Sequence, residues 1–112
     1  MDAQIKRGLL DVCVLAAIKQ EDSYGYQIIK DIKPYIEISE STLYPILRRL
    51  ENAAMLMVYS VEHNGRLRKY YHITSAGLDR LKAFSEEWQE LTAIYRYVTR
   101  EEQPNDKTGI FK

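Results

Sequence analysis

Residues 39–51 read Ser39-Glu40-Ser41-Thr42-Leu43-Tyr44-Pro45-Ile46-Leu47-Arg48-Arg49-Leu50-Glu51, and the rest of the chain is organised around them. Hydroxyl residues at the start can cap a helix. Leu43, Ile46, Leu47 and Leu50 then fall at helical spacing, leaving Thr42, Tyr44, Pro45, Arg48 and Arg49 off the apolar stripe. A short helix with its back in a core and hydroxyl, phenol and guanidinium groups on its front has what a DNA-reading helix requires. Proline is tolerated in a first turn but costs about 3 kcal/mol in a helix interior. Pro45 therefore favours a start at Ser41, or a loose first turn from Ser39.

Working outward, the residues before this stretch predict two helices. Ile5 to Lys19 forms the first, and between Gly8 and Ile18 only Asp11 is charged. A helix apolar nearly all round must be covered on several sides, which suggests a second subunit. Ser23 is a good N-cap for the second helix, Tyr24 to about Lys33, with Ile28, Ile29 and Ile32 as its buried stripe. Pro34 ends it by removing a donor and disfavouring helical geometry at Lys33.

After the central stretch, Leu56–His63 and Arg66–Ile73 are rich in Val, Tyr and Ile and flank Asn64-Gly65. An Asn-Gly pair between two such runs is a strong hairpin signal, because both turn residues need positive φ. A two-residue turn sets Val61 opposite Arg68 and Tyr59 opposite Tyr70, and turns Leu56, Val58, Tyr71 and Ile73 to the core. Thr74 or Ser75 caps a last helix running to about Thr99. Its apolar residues Leu81, Phe84, Trp88, Leu91, Tyr95 and Val98 repeat at alternating spacings of three and four, an a/d seam fit for dimerisation. The organisation expected is residues 1–73 as a winged helix-turn-helix, 74–100 as a dimerisation helix and 101–112 as a flexible tail. The fold class is mainly α with one β-hairpin.

Composition narrows the function classes. The chain has 112 residues, enough for one domain, with 16 basic and 16 acidic side chains and no net charge. Neutrality argues against a general coating of nucleic acid but not against positive charge confined to one face. Three bases, Arg66, Arg68 and Lys69, lie within four positions at the hairpin. Cys13 is the one cysteine, so an intrachain disulfide or thiolate cluster is excluded, and its apolar neighbours suit a structural thiol. His63 and His72 lack metal-ligand spacing. No catalytic constellation, cofactor motif or run of roughly 20 apolar residues is present, so neither enzyme, cofactor, metal nor membrane partner is expected, and the location expected is cytoplasmic.

Taken together, Tyr24-Gly25-Tyr26, Ser41-Thr42-Leu43-Tyr44-Pro45, Arg49-Leu50-Glu51, and Gly65 with Arg68-Lys69-Tyr70-Tyr71, Ile73-Thr74 and Gly77 resemble the PadR-like transcriptional regulators, in particular their short-form subfamily. The resemblance covers most of the chain. It implies a dimeric DNA-binding repressor responsive to a small molecule or stress signal, with the last helix packed on the partner's first helix. One position departs from it: Ala54 stands where the family usually ends the third helix with glycine. Alanine does not cheaply adopt the left-handed cap conformation, so either the helix extends or Asn52 shifts the cap.

Site residues follow. Ser41, Thr42 and Tyr44 at the helix start are assigned to phosphates and base edges of double-stranded DNA. Of Arg48 and Arg49, one reaches DNA and the other pairs with Glu51 or Glu40. Arg68 and Lys69 contact phosphate, Arg66 sits at the wing tip, and Lys6 and Arg7 can add a backbone contact. Tyr70 and Tyr71 are packing residues. The homodimer interface comprises Leu9, Leu81, Phe84, Trp88, Leu91 and Tyr95, and Trp88 with Phe84 either fills the dimer core or binds a small flat aromatic effector. Two recognition helices in such a dimer should fall roughly 34 Å apart, one DNA turn. The competing class is a winged-helix protein-interaction module without DNA activity.

Overall fold

The computed structural model describes residues 1–101; the tail expected over 101–112 lies, from residue 102, outside the described residues. Four helices and a hairpin follow in the order α1 (Ala3–Ala17), α2 (Gly25–Ile32), α3 (Glu40–Asn52), β1 (Leu56–His63), β2 (Arg66–Ile73) and α4 (Ser75–Val98). α1 starts earlier than its apolar pattern suggests because Asp2 caps it, its Oδ2 accepting from the amides of Gln4 and Ile5 at 3.1 Å each. Leu10, Val14 and Leu15 of α1 join Ile28 and Ile32 of α2, Leu43, Ile46, Leu47 and Leu50 of α3, and Leu56, Tyr71 and Ile73 of the hairpin in one core. Packing on α2, α3 and α4 covers α1 largely within a single chain. What a second subunit was expected to cover shrinks to exposed Ile5 and the half-buried Leu9 and Cys13.

Ser23 does not cap α2, contrary to expectation. Its backbone exchanges two hydrogen bonds with Tyr71, Ser23 N–H to the Tyr71 carbonyl at 3.2 Å and the reverse at 2.7 Å. Extended pairing along the free edge of β2 turns the Ser23 side chain inward, where its Oγ is buried without a hydrogen-bond partner. Tyr24 is the N-cap instead and contributes no side-chain bond. α2 ends at Ile32 as Pro34 requires, although Lys33 keeps helical angles and its amide reaches the Ile29 carbonyl at 2.9 Å.

α3 starts at Glu40 behind N-cap Ser39, not at Ser41. Pro45 is thus accommodated inside the helix. The N–H it lacks would have met the Ser41 carbonyl, and both residues are exposed, so water can serve that carbonyl. The far end also departs from expectation. The helix neither extends nor moves its cap to Asn52: Ala54 itself takes the left-handed conformation, φ 60°. Its amide bonds to the Glu51 carbonyl and that of Met55 to the Leu50 carbonyl, each at 2.9 Å, the two bonds of a Schellman cap.

Two bonds from Thr74 then join α3's exit to α4's start. Thr74 Oγ1 donates to the Ala54 carbonyl at 2.7 Å and its amide to the Met55 carbonyl at 3.1 Å. The same Oγ1 accepts from the Gly77 amide at 3.2 Å, capping α4. Gly77 leaves no room for a side chain: a Cβ there would overlap the Met55 carbonyl oxygen and come within 2.6 Å of Ile73 Cγ1.

The hairpin has the register the turn residues require, with Tyr59 opposite Tyr70 and Val61 opposite Arg68. Asn64 and Gly65 have φ of 53° and 78°, both positive as in a type I′ turn. Leu56, Tyr71 and Ile73 are buried and Val58 is half-buried. α4 runs 24 residues and packs on α1 and β2 through its first half. Leu81 and Phe84 are half-buried, whereas Trp88, Leu91, Ile94, Tyr95 and Val98 stand more than half exposed. No helix among the described residues is long and apolar enough to cross a membrane.

Candidate nucleic-acid interface

The front of α3 presents Ser41, Thr42, Tyr44, Arg48 and Arg49, all exposed, behind the buried Leu43, Ile46, Leu47 and Leu50. Its first turn carries a hydroxyl cluster. Ser39 Oγ lies 3.0 Å from Ser41 Oγ and 3.2 Å from Thr42 Oγ1, and no side chain caps the helix amides. Those amides carry the positive end of the helix dipole, so the turn offers hydroxyls and unfilled N–H donors to an anion.

Tyr44 reaches back from α3 to the start of α2. Its phenol lies where a Cβ on Gly25 would overlap the hydroxyl, so Gly25 makes room for the Tyr44 ring against the start of α2. Between α2, α3 and the wing this leaves a cleft of ≈ 500 Å³ lined by Tyr24, Tyr26, Tyr44, Arg68, Lys69 and Tyr71. Two of the three wing bases therefore face the same hollow as Tyr44 of α3. Arg66 is exposed at the tip of the wing. Lys6 and Arg7, in the first turns of α1, do not line this cleft.

The two arginines of α3 part company. Arg49 forms an ion pair with Asp11 of α1, not with Glu40 or Glu51, and so ties α3 to α1. Arg48 is exposed and without an ion-pair partner among the described residues. It is the arginine of the pair that is free to meet a phosphate.

Arg68 is half-buried, not free. Its guanidinium lies 4.1 Å from the centroid of the Tyr24 ring, a cation–π contact. Tyr24 meets Tyr70 edge-on at 5.4 Å, and Tyr70 stacks on Tyr59 at 5.8 Å. The Tyr59 hydroxyl in turn donates to Asp22 Oδ2 at 2.5 Å, and His72 Nδ1 lies 2.7 Å from Asp22 Oδ1. These bonds, first that of Tyr59 and then that of His72, hold the Asp22 carboxyl below its ordinary pKa, while the same bond raises that of Tyr59. Asp22 thereby latches the loop between α1 and α2 to both strands of the wing. Tyr71 is a core residue whose phenol burial pushes up, and the half-buried Cys13 thiol is raised by desolvation, away from the reactive thiolate.

Sequence reasoning missed Tyr24, Tyr26, Asp22, Tyr59 and His72 as parts of this surface. Tyr24 and Tyr26 flank the glycine that Tyr44 covers, which is a usable signal. Nothing local marks the Asp22 latch, whose partners are 37 and 50 residues away. On α4, Phe84 and Trp88 lie with ring centroids 5.9 Å apart and planes inclined by 31°. Trp88 and Leu91 are each 52% exposed and Tyr95 65%, continuing the seam that begins at half-buried Leu81.

Comparison with known proteins adds to this geometry. The profile of the transcriptional regulator PadR-like family matches residues 14–83. An uncharacterised protein of Lysinibacillus sphaericus is 37% identical over 97 residues, 82% of this chain and 89% of its own. A solved structure from Streptococcus mutans UA159 is 42% identical, with TM-score 0.74 over 87% of this chain and 93% of that one. A PadR-like transcriptional regulator from Bacillus cereus is 30% identical, with TM-score 0.77, covering 89% of this chain and all (100%) of that one. A PadR family transcription regulator from Clostridium difficile R20291 is 28% identical, with TM-score 0.73 over 80% and 96%.

Proposed function

The chain belongs to the transcriptional regulator PadR-like family, and from that premise we propose that it binds operator DNA sequence-specifically as a homodimeric, ligand-responsive repressor in the cytoplasm. The observation that carries this reading is the cleft shared by Tyr44 of α3 with Arg68 and Lys69 of the wing. In a winged helix-turn-helix, α3 enters the major groove and the wing lies along the neighbouring backbone. Ser41, Thr42 and Tyr44 then meet the groove and its adjacent phosphates, Arg48 the backbone beside them, and Arg66, Arg68 and Lys69 the phosphates under the wing. Net neutrality is compatible with this, because the bases of the binding face are matched by acids elsewhere, Asp22 and Glu21 among them.

The dimer reading is supported by the bare second half of α4. Trp88, Leu91, Ile94, Tyr95 and Val98 are each more than half exposed, an apolar area that a soluble monomer rarely leaves contiguous. A partner's α1 and α4 would cover it together with Leu9. The tilted pair Phe84–Trp88 lies within that seam, where two copies of Trp88 could receive a flat aromatic effector between them.

The test is retardation of DNA containing the protein's own promoter, repeated across a salt series. Affinity should fall with a log–log slope of about −0.9 per neutralised phosphate. Absence of specific retardation at any salt, with the protein folded, would overturn the DNA reading and leave a protein-interaction module.

A further inference from the structure

Arg68 is held in place without being neutralised. It makes no ion pair among the described residues, and its guanidinium rests 4.1 Å from the centroid of the Tyr24 ring. Arg49, by contrast, is paired with the carboxylate of Asp11. An acid fixes a guanidinium but cancels its charge. A ring face fixes it and leaves both the charge and the N–H donors available to a phosphate.

Tyr24 is itself fixed from two sides. The paired backbone bonds between Ser23 and Tyr71, at 3.2 and 2.7 Å, set it against the free edge of β2. Its ring meets Tyr70 edge-on at 5.4 Å, Tyr70 stacks on Tyr59 at 5.8 Å, and Tyr59 donates to Asp22, which also meets His72. Arg68 and Tyr70 are two apart on β2 and Tyr59 lies opposite Tyr70, so all three share one face of the wing. The contacts therefore run without a break from Asp22 to Arg68. Tyr24 and Arg68 line the cleft beside α3, whereas Asp22, in the loop after α1, does not.

We propose that Tyr24 is a positioning residue for Arg68, fixing its guanidinium in the cleft where a DNA phosphate is received, and that Asp22 governs this hold through Tyr59 and Tyr70. The proposal rests on the DNA reading above and adds a control point outside the DNA-contacting surface. Whatever opens the bonds between the loop and the wing loosens the arginine. A free arginine must be ordered when the phosphate binds, whereas one already held need not be. For one long side chain that difference is about fivefold in affinity.

The test is retardation of a duplex from the protein's own promoter across a salt series, using the full chain and variants shown to be folded by circular dichroism. Tyr24→Leu should weaken binding about fivefold with the salt slope unchanged, since Arg68 still neutralises its phosphate, whereas Arg68→Ala should lower the slope by about 0.9. In the Arg68→Ala background Tyr24→Leu should cost nothing further, a coupling that a merely structural role would not show. Tyr24→Phe keeps the ring face and should bind as the parent does. Asp22→Ala should weaken binding about twofold, although the loss of an acid alone would strengthen attraction to DNA. In the free protein, the Arg68 side-chain resonances should move toward those of an unstacked arginine in Tyr24→Leu, and partway in Asp22→Ala. A loss in Tyr24→Phe equal to that in Tyr24→Leu would mean that the hydroxyl meets DNA directly. An undiminished Tyr24→Leu loss in the Arg68→Ala background, unmoved Arg68 resonances, or tighter binding by Asp22→Ala would likewise overturn the proposal while leaving the DNA reading intact. No retardation by the folded parent at any salt would overturn the DNA reading itself, and this role of Arg68 with it.

Discussion

Ala54 is the position at which a glycine should improve this protein. It holds φ 60°, a left-handed conformation in which a Cβ crowds the following carbonyl at a cost of about 1–2 kcal/mol. Its side chain is exposed, so removing the methyl group forfeits little burial. Against the relief stands the greater freedom of glycine in the unfolded chain, about 0.4–1 kcal/mol. Ala54→Gly should therefore stabilise the fold by about 1 kcal/mol, with a rise in Tm of about 4–6 °C for a chain of this size. The two Schellman bonds run between backbone atoms, and the bond from Thr74 Oγ1 is accepted by the backbone carbonyl of residue 54, so glycine retains them. The assay is thermal and urea unfolding at one fixed protomer concentration, with Ala54→Val as the opposite arm, since a β-branched residue fits this conformation worst. An unchanged or lowered Tm for Ala54→Gly, or an unaltered Tm for Ala54→Val, would refute the argument.

Gly77→Ala should destabilise by about 1–3 kcal/mol, because the new methyl meets a backbone carbonyl that cannot move without opening the Thr74 junction; urea midpoints check it. On DNA, Arg68→Ala and Lys69→Ala should weaken all sequences alike and flatten the salt slope by about 0.9 each, whereas Thr42→Ala should alter sequence preference. Retardation on specific and scrambled DNA separates the two, and equal loss of specificity in all three would contradict the assignment. Asp22 has its folded pKa lowered, so its stabilising contribution is present above the unfolded carboxylate range and is lost as pH falls through the folded value. Unfolding of Asp22→Asn should then differ from that of the parent at neutral pH and converge with it in acid below the ordinary carboxylate range. Trp88→Glu should sediment as a monomer, and a variant that stays dimeric would show that the interface lies elsewhere than the α4 seam.

Much of the fold is legible in local pattern. The pair Asn64-Gly65 sets both the existence and the register of the hairpin, since two positive φ values in succession leave few other turns. The end of α2 follows from Pro34, and the stripe of α3 from four apolar residues at helical spacing. What is not legible depends on partners distant in sequence. Ser23 reads as a helix cap because its local context is that of one, but pairing with Tyr71 claims its backbone and leaves its hydroxyl buried. Arg49 has two acids nearby in sequence and chooses a third, Asp11, presented by α1 across the helix packing. The cost of a proline points the start of α3 toward Ser41, but that cost is lowered because Ser41 and Pro45 are both exposed to water. At the candidate site, the hydroxyls and wing bases could be picked from sequence by residue type and position. The tyrosine ladder that holds Arg68 could not, because it assembles side chains from the N-cap of α2 and both strands.

The Thr74 junction gives α4 a mechanical role. Two backbone carbonyls at the end of α3, the hydroxyl of one threonine and a glycine without clearance join α3 to α4 through an elbow. Beyond it, α4's 24 residues extend about 36 Å. With such leverage, a tilt of about 5° at the elbow displaces the far end by about 3 Å. In the dimer proposed above, that displacement changes the separation of the two reading helices, which must match one turn of DNA at about 34 Å. If that dimer forms on DNA, small changes in the packing of the seam would be converted into a change of span between half-sites, without any residue of α3 being altered.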